Sequence, residues 1–421
     1  MDMFKIEGGI PLTGEVEISG SKNAALPIMA ATLLSRGKYT IHNVPRLKDI
    51  HTMAHLLRII GAKVEYDNHT MMIDTGNINF FEAPYELVKT MRASIYVLGP
   101  LVSAYGEAKV SLPGGCAWGP RPVNFHIDSM KKLGADVQLT NGYIEAKAKK
   151  LQGTSIYFDI PSVGASCNVM MAAVLAEGTT VIENAAREPE VISLGEFLLK
   201  MGARIEGLGT SRLTIEGVDE LAPTDFEIIP DRIEAATFLI AGAMTRGTIT
   251  LKHVEPQHLE EVIEKMRQAN INLRVDSDKI TVSETDRIEP TDIITSVYPG
   301  FPTDVQAQWT AFMLKADGSS VVTDEIYLDR FAHVPELNRL GADIQVKQNS
   351  AFIRGNCDLK GAPVMSTDLR GSASLVLAGL VAAGQTMVHR VYHIDRGYES
   401  IEKKLEKLGA RITREDDGKY Y

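Results

Sequence analysis

One of the chain's three cysteines, Cys116, stands in the run LPGGCAWGPRPVNFH, residues 112–126. Pro113, Gly114, Gly115, Gly119, Pro120 and Pro122 around it rule out a long helix or paired strand and predict a loop over 112–122. A thiol in such a loop, with Arg121 five residues on, can be shifted toward thiolate by the neighbouring cation and act as an acid or nucleophile. Cys167, in an apolar helical pattern, and Cys357, in a strand pattern, read instead as small core hydrophobes. No CxxC pair occurs, which argues against a disulfide framework and a structural zinc site.

A second set of polar residues is regularly placed. Lys22, Arg92, Arg232, Asp304 and Arg370 each lie 14 or 15 residues before a glycine (Gly37, Gly106, Gly247, Gly318 and Gly384) that ends an apolar helical segment. A sixth segment, ending at Gly178, has Val163-Gly164 of PSVGAS at that place. Helix starts carry free N–H groups and the positive end of the macrodipole, so they suit anions. Basic side chains there are unfavourable for the helix alone and need another reason. Either carboxylates such as Asp49, Asp231 or Asp368 pair with them, or the helix starts gather on one face that takes an anionic ligand.

The elements that must position these residues repeat six times. GAKVEY, GADVQL, GARIEG, NINLRV, GADIQV and GARITR recur 68 to 73 residues apart, each a helix end with a left-handed cap followed by an alternating strand. In step with them come six small-residue apolar helices followed by β-branched strands, from NAALPIMAATLLSRGKYTIHNV to SASLVLAGLVAAGQTMVHRVY. Helices apolar around their whole circumference belong inside, and amphipathic ones such as LLRIIGA and KKLEKLGA outside. At 421 residues two domains are expected, so the repeats group three and three. The first twenty or so residues supply the strand pattern that the last repeat lacks, which gives boundaries of 22–229 for one domain and 1–21 with 230–421 for the other.

With 44% hydrophobic and 23% charged residues the composition is that of an ordinary globular protein. A net charge of −10 argues against nucleic acid as the main partner, though a local cleft of Arg and Lys can still hold small anions. No secretory signal and no apolar run long enough to span a bilayer is recognisable, so a cytoplasmic protein without membrane attachment is expected.

The pieces SGSKNAALPIMAATLL, RLKDI, MRAS, PGGCAWGPRPV, SVGAS, ENAAREPEV, PGFPTDVQAQ, RFAHVPEL, DLRGSASLVLAGLVA and HIDRGYE resemble the enolpyruvyl transferase family, and the likeness covers the whole chain. The resemblance implies two inside-out α/β-barrel domains, each of three repeated units of about 70 residues, with the active site in the cleft between them. It implies a transferase of peptidoglycan synthesis, whose first committed step serves cell-wall biogenesis, cell shape and cell division. Its substrates would be UDP-N-acetylglucosamine and phosphoenolpyruvate. The sugar 3-hydroxyl attacks C2 of phosphoenolpyruvate while C3 gains a proton, and the adduct then loses phosphate to leave an enol ether. No metal or organic cofactor is implied.

Carried over by the same resemblance, Cys116 is the proton donor to C3 and the target of the epoxide fosfomycin, and Asp304 is the base toward the 3-hydroxyl. Lys22, Arg121 and Arg396 hold phosphoenolpyruvate, with Asn23 near the reacting centre and Arg370 beside them. Arg92, Arg121, Pro122, Val123, Asn124, Phe125, Ser162, Val163, Gly164 and Ile326 match positions that hold the UDP-sugar, with Arg330 in the network nearby. Asn124, Trp118 and Leu328-Asp329 stand where the family usually has other residues. The shikimate-pathway branch of the family lacks the loop cysteine motif, and a non-catalytic sugar-nucleotide-binding regulator is the alternative from another class.

Overall fold

The computed structural model describes residues 2–89, 91–112 and 123–416. Cys116, Trp118, Arg121 and Pro122 therefore lie outside the described residues. The chain divides into two compact units, Gly20–Ile229 and Met1–Ser19 with Pro230–Tyr421.

Each unit is mixed α/β and contains three four-stranded sheets. The second repeat shows the plan: Glu82–Ala83, Glu107–Ser111, Tyr143–Lys147 and Asp136–Thr140 lie side by side in that order. The first two run parallel and the remaining pairs antiparallel. A parallel pair needs a crossover, and the inner helix of the repeat supplies it. Two repeats borrow their first strand from afar: Asp225–Glu227 pairs with Lys38–His42, and Thr13–Glu17 with Thr248–Lys252. In the last sheet Asp2–Glu7 fits between Gln385–His389 and Arg411–Asp416, antiparallel to both.

The repeated helix ends have a common backbone cause. Gly61, Gly134, Gly202, Gly341 and Gly409 take φ between 91° and 117°, and Asn270 takes 64° at the sixth such place. This left-handed region is open to glycine, and asparagine tolerates it better than other side chains.

The inner helices Lys22–Ala31, Val163–Ala173, Arg232–Met244, Gln306–Met313 and Leu369–Val381 are buried almost throughout. Trp309 shows how tightly: it is fully buried, its ring meets Phe301 and Phe312 edge-on at 5.2 Å each, and its Nε1 donates to the Thr291 carbonyl at 3.1 Å.

Two sequence expectations are corrected here. The second inner helix is not continuous: Arg92–Val97 is a 3₁₀ turn that passes into the α-helix Leu98–Tyr105. Pro100 has no N–H and its ring crowds the carbonyl four residues back, which disfavours α geometry through that turn. Cys357 lies beyond the strand Ser350–Arg354 rather than on it, after Asn356 turns the chain at φ 57°. Its thiol is still buried and donates to the Arg354 carbonyl at 3.0 Å.

Candidate functional site

Every polar residue of the sequence column lies at the start of an inner helical segment. Lys22 opens Lys22–Ala31, Arg92 opens the turn Arg92–Val97, Arg232 opens Arg232–Met244, and Val163-Gly164 open Val163–Ala173. Asp304 sits in the turn Thr303–Val305 that leads into Gln306–Met313, and Arg370 is the second residue of Leu369–Val381.

In the unit that holds Asp304, three charges converge. Arg330 Nη1 donates to Asp304 Oδ1 at 2.9 Å and Arg370 Nη2 donates to Oδ2 at 2.9 Å. The arginines are 7% and 2% exposed, so the pairing occurs with little water to screen it. Burial by itself would raise the Asp304 carboxyl, but the charges of Arg370 and Arg330 outweigh it and hold that group well below the ordinary carboxylate range. Asp304 is thus ionised at neutral pH.

The segment that delivers Arg330 is fixed by Asp324, which is fully buried. Its carboxylate accepts from Thr295 and Thr303 hydroxyls at 2.7 Å each and from the backbone N–H of Ile326 and Tyr327 at 3.0 and 2.9 Å. Thr303 Oγ1 also accepts from Arg330 Nη1 at 3.1 Å, which ties this turn to the one bearing Asp304. Ile326 is half-buried within the turn, and Arg396, also half-buried, closes the 3₁₀ turn Val391–Arg396 of the same unit.

Pairing follows the sequence expectation only in part. Lys22 Nζ lies 3.4 Å from Asp49 Oδ2, as that alternative required. Asp231 and Asp368 cap their helices: Asp231 accepts from the N–H groups of Ile233 and Glu234, and Asp368 from those of Arg370 and Gly371. Arg370 takes Asp304 as its carboxylate partner at 2.9 Å. Arg232 places its guanidinium 5.7 Å from the Tyr298 ring centroid.

In the other unit Lys22 and Asn23 are half-buried behind the Ser21 cap, whose hydroxyl accepts from Ala24 N–H at 3.3 Å. Ser162 caps the helix Val163–Ala173 in the same way, accepting from Ala165 N–H. Val123 precedes the helix Asn124–Lys132, on which Asn124 is exposed and Phe125 half-buried, 5.7 Å from Phe158.

His126, missed in the sequence, joins these pieces. Asn168 Nδ2 stands 3.0 Å from His126 Nδ1, while a Cβ on Gly164 would meet Nε2 at 3.3 Å. Burial first, and then the Arg92 charge, bring the His126 imidazole down to about 4, so it is neutral at pH 7. With Nδ1 accepting from Asn168, the proton resides on Nε2, facing the helix start at Gly164. The only signal available was a polar residue on the buried face of an amphipathic pattern.

Cys116, Arg121 and Pro122 fall outside the described residues. Of the remaining cysteines Cys167 is fully buried and its thiol is pushed up by burial, with Glu188 and Glu190 adding to the effect. Among the described residues no group of three or more His, Cys, Asp or Glu could hold a metal ion, and no helix is long and apolar enough to cross a membrane.

Comparison with known proteins adds to this geometry. The model of EPSP synthase (3-phosphoshikimate 1-carboxyvinyltransferase) matches residues 6–418. A UDP-N-acetylglucosamine 1-carboxyvinyltransferase of Chloroherpeton thalassium is 59% identical over 418 residues, 99% of this chain and 97% of its own. One of the same name from Thermodesulfovibrio yellowstonii is 56% identical over 98% of this chain and 100% of its own. Among solved structures, the enolpyruvyl transferase NikO from Streptomyces tendae matches at a TM-score of 0.89 and 26% identity, with 98% of both chains covered. EPSP synthase from Acinetobacter baumannii, at a TM-score of 0.78 and 18% identity over 99% of this chain and 100% of its own, shares the fold.

Proposed function

The chain belongs to the EPSP synthase family, and from that premise we propose how its residues carry out the reaction. It transfers the enolpyruvyl group of phosphoenolpyruvate to the 3-hydroxyl of UDP-N-acetylglucosamine and releases phosphate. The observation that carries this reading is 59% identity spread over 99% of the chain. It favours the UDP-sugar over shikimate 3-phosphate as acceptor, although the family model bears the shikimate enzyme's name.

In this reading the hydroxyl oxygen bonds to C2 of phosphoenolpyruvate while C3 takes a proton from Cys116. The hydroxyl proton passes to Asp304. A carboxylate neutralised by two guanidinium groups is a weak base, so Asp304 first orients the hydroxyl as an acceptor and receives the proton only as the C–O bond forms. The C2–O bond to phosphate then breaks with its electron pair leaving on phosphate, C3 returns a proton to the Cys116 thiolate, the proton held by Asp304 leaves with the phosphate, and the enol ether remains. Lys22, Arg121 and Arg396 hold the phosphate and carboxylate of phosphoenolpyruvate, with Asn23 near the reacting centre and Arg370 beside them. Arg92, Arg121 to Phe125, Ser162 to Gly164, Ile326 and Arg330 serve the UDP-sugar, whose diphosphate suits the free N–H groups that open Val163–Ala173.

Each unit is in this reading an inside-out α/β barrel of three repeats, with working boundaries at 22–229 and at 1–21 with 230–421. Two anionic metabolites as substrates accord with a cytoplasmic enzyme.

The test mixes the protein with UDP-N-acetylglucosamine and phosphoenolpyruvate and follows phosphate. Release with this acceptor, and none with shikimate 3-phosphate, is expected. Tight binding of the UDP-sugar without any release would establish the regulator instead.

A further inference from the structure

The inner helix Gln306–Met313 is apolar except for Gln306, Gln308 and Thr310, all fully buried. A buried amide is costly unless its N–H groups find acceptors. Gln308 Nε2 lies 3.0 Å from the backbone carbonyl of Asp304, 3.1 Å from Tyr398 Oη and 3.2 Å from Thr237 Oγ1. Thr237 donates its own hydrogen to the Ile233 carbonyl at 2.8 Å. Across the 2.9 Å contact between Thr237 and Tyr398 the phenol is therefore the donor, and it accepts from Gln308. The amide cannot be reversed, because its oxygen would then face the Asp304 carbonyl.

The face of the Tyr398 ring lies 5.5 Å from the Arg370 guanidinium carbon, within the roughly 6 Å reach of a cation–π contact. Arg370 Nη2 returns to Asp304 Oδ2 at 2.9 Å. The contacts therefore close a circuit that leaves Asp304 by its backbone, passes through Gln308, Tyr398 and Arg370, and comes back to its carboxylate. Arg370 Nε and Nη1 are buried without a hydrogen-bond partner among the described residues. Its hydrogen bond to Asp304 and its contact with Tyr398 are then what define its plane.

We propose that Gln308 and Tyr398 are positioning residues: without touching substrate, they hold the Arg370 guanidinium in register with the Asp304 carboxylate. The inference rests on Asp304 being the group that receives the hydroxyl proton. The charged and titratable groups facing Arg370 are Asp304, Tyr398 and Asp231, and those facing Asp304 are Arg370 and Arg330. Loosening Arg370 removes part of the field that keeps the Asp304 carboxyl low. Orientation and proton affinity at that carboxylate change together.

The test is steady-state phosphate release by Tyr398→Phe, which keeps the ring and removes the hydroxyl, with thermal unfolding measured alongside. Expected is a fall in kcat on the order of tenfold, less than the 10²-fold of outright misplacement, with KM for the UDP-sugar within about twofold of the parent. The acid limb of the kcat–pH profile moves to higher pH. Combined with Arg370→Met, the substitution adds no further loss, because it acts through Arg370. A lower melting temperature with kcat and acid limb unchanged, or losses that simply add, would overturn the proposal. Should Tyr398→Phe fail to fold, Thr237→Val removes the phenol's acceptor at the far end of the array and is judged by the same acid limb. Asp304→Asn separates the two readings: turnover by that variant refutes the base assignment, whereas an inactive Asp304→Asn beside a kinetically normal Tyr398→Phe refutes the positioning role alone.

Discussion

Lys22 Nζ stands 3.4 Å from Asp49 Oδ2, and the two side chains are only 12% and 5% exposed. A partly desolvated pair of this kind aims the ammonium group. Asp49→Asn should raise KM for phosphoenolpyruvate about tenfold, the scale of one hydrogen bond to a charged group, and leave KM for the UDP-sugar unchanged. Equal increases in both constants would show that Asp49 supports the fold rather than Lys22.

Asp304→Ala should abolish most turnover, by about 10²–10⁴-fold as for loss of a positioned acid–base group. It also leaves Arg330 and Arg370 buried beside each other without their carboxylate, which destabilises the unit by about 3–5 kcal/mol. Asp304→Asn should keep more of that stability, yet not the activity. Phosphate release and thermal unfolding of both variants check the pair of expectations.

His126 predicts a pH dependence with a definite sign. The imidazole is at about 4 when folded and near 6.5 when unfolded, so the unfolded chain binds the proton first. Its contribution, on the order of 3 kcal/mol, is complete above pH 6.5, declines as pH falls toward 4 and is flat below that. The His333 imidazole, also lowered by burial, acts in the same direction. Urea unfolding between pH 7.5 and about 4.5 should show a smaller loss of stability in His126→Gln than in the parent; identical slopes would mean that His126 is not held neutral.

Asn168 is the polar centre of a buried junction: Oδ1 accepts from Gly99 N–H at 2.7 Å and Nδ2 donates to the Ile95 carbonyl at 2.8 Å. A Cβ at Gly99 would lie 2.4 Å from the Asn168 carbonyl oxygen, so the two inner segments touch backbone to backbone. Asn168→Leu strands both backbone groups and should cost about 2–5 kcal/mol, read as a lower denaturation midpoint.

Cys116 should be the cysteine that fosfomycin alkylates, because Cys167 is fully buried with a raised thiol and Cys357 is buried and donates to a carbonyl. Peptide mass spectrometry after treatment should find the adduct on Cys116. An adduct on either of the others would remove the assignment of the loop thiol.

The sixfold period, the capped helix ends, the buried character of the inner helices and the charged residue at five of the six helix starts are local properties. Glycine at a left-handed cap and apolar spacing act within a few residues of themselves, so the bare sequence reveals them. Even the strand lent by the first residues was legible, as a piece missing from the last repeat. The grip of Arg370 and Arg330 on Asp304, the Asp324 turn, the neutral His126 at Gly164 and the Gln308–Tyr398 array were decided only by the tertiary structure. Arg370 is 66 residues from Asp304 and Tyr398 is 90 from Gln308. Which helix start meets which is settled by the packing of whole sheets and helices, and the same burial then sets the protonation of the groups that meet there. Pattern in the chain names the participants; desolvation in the fold chooses their partners and their charge.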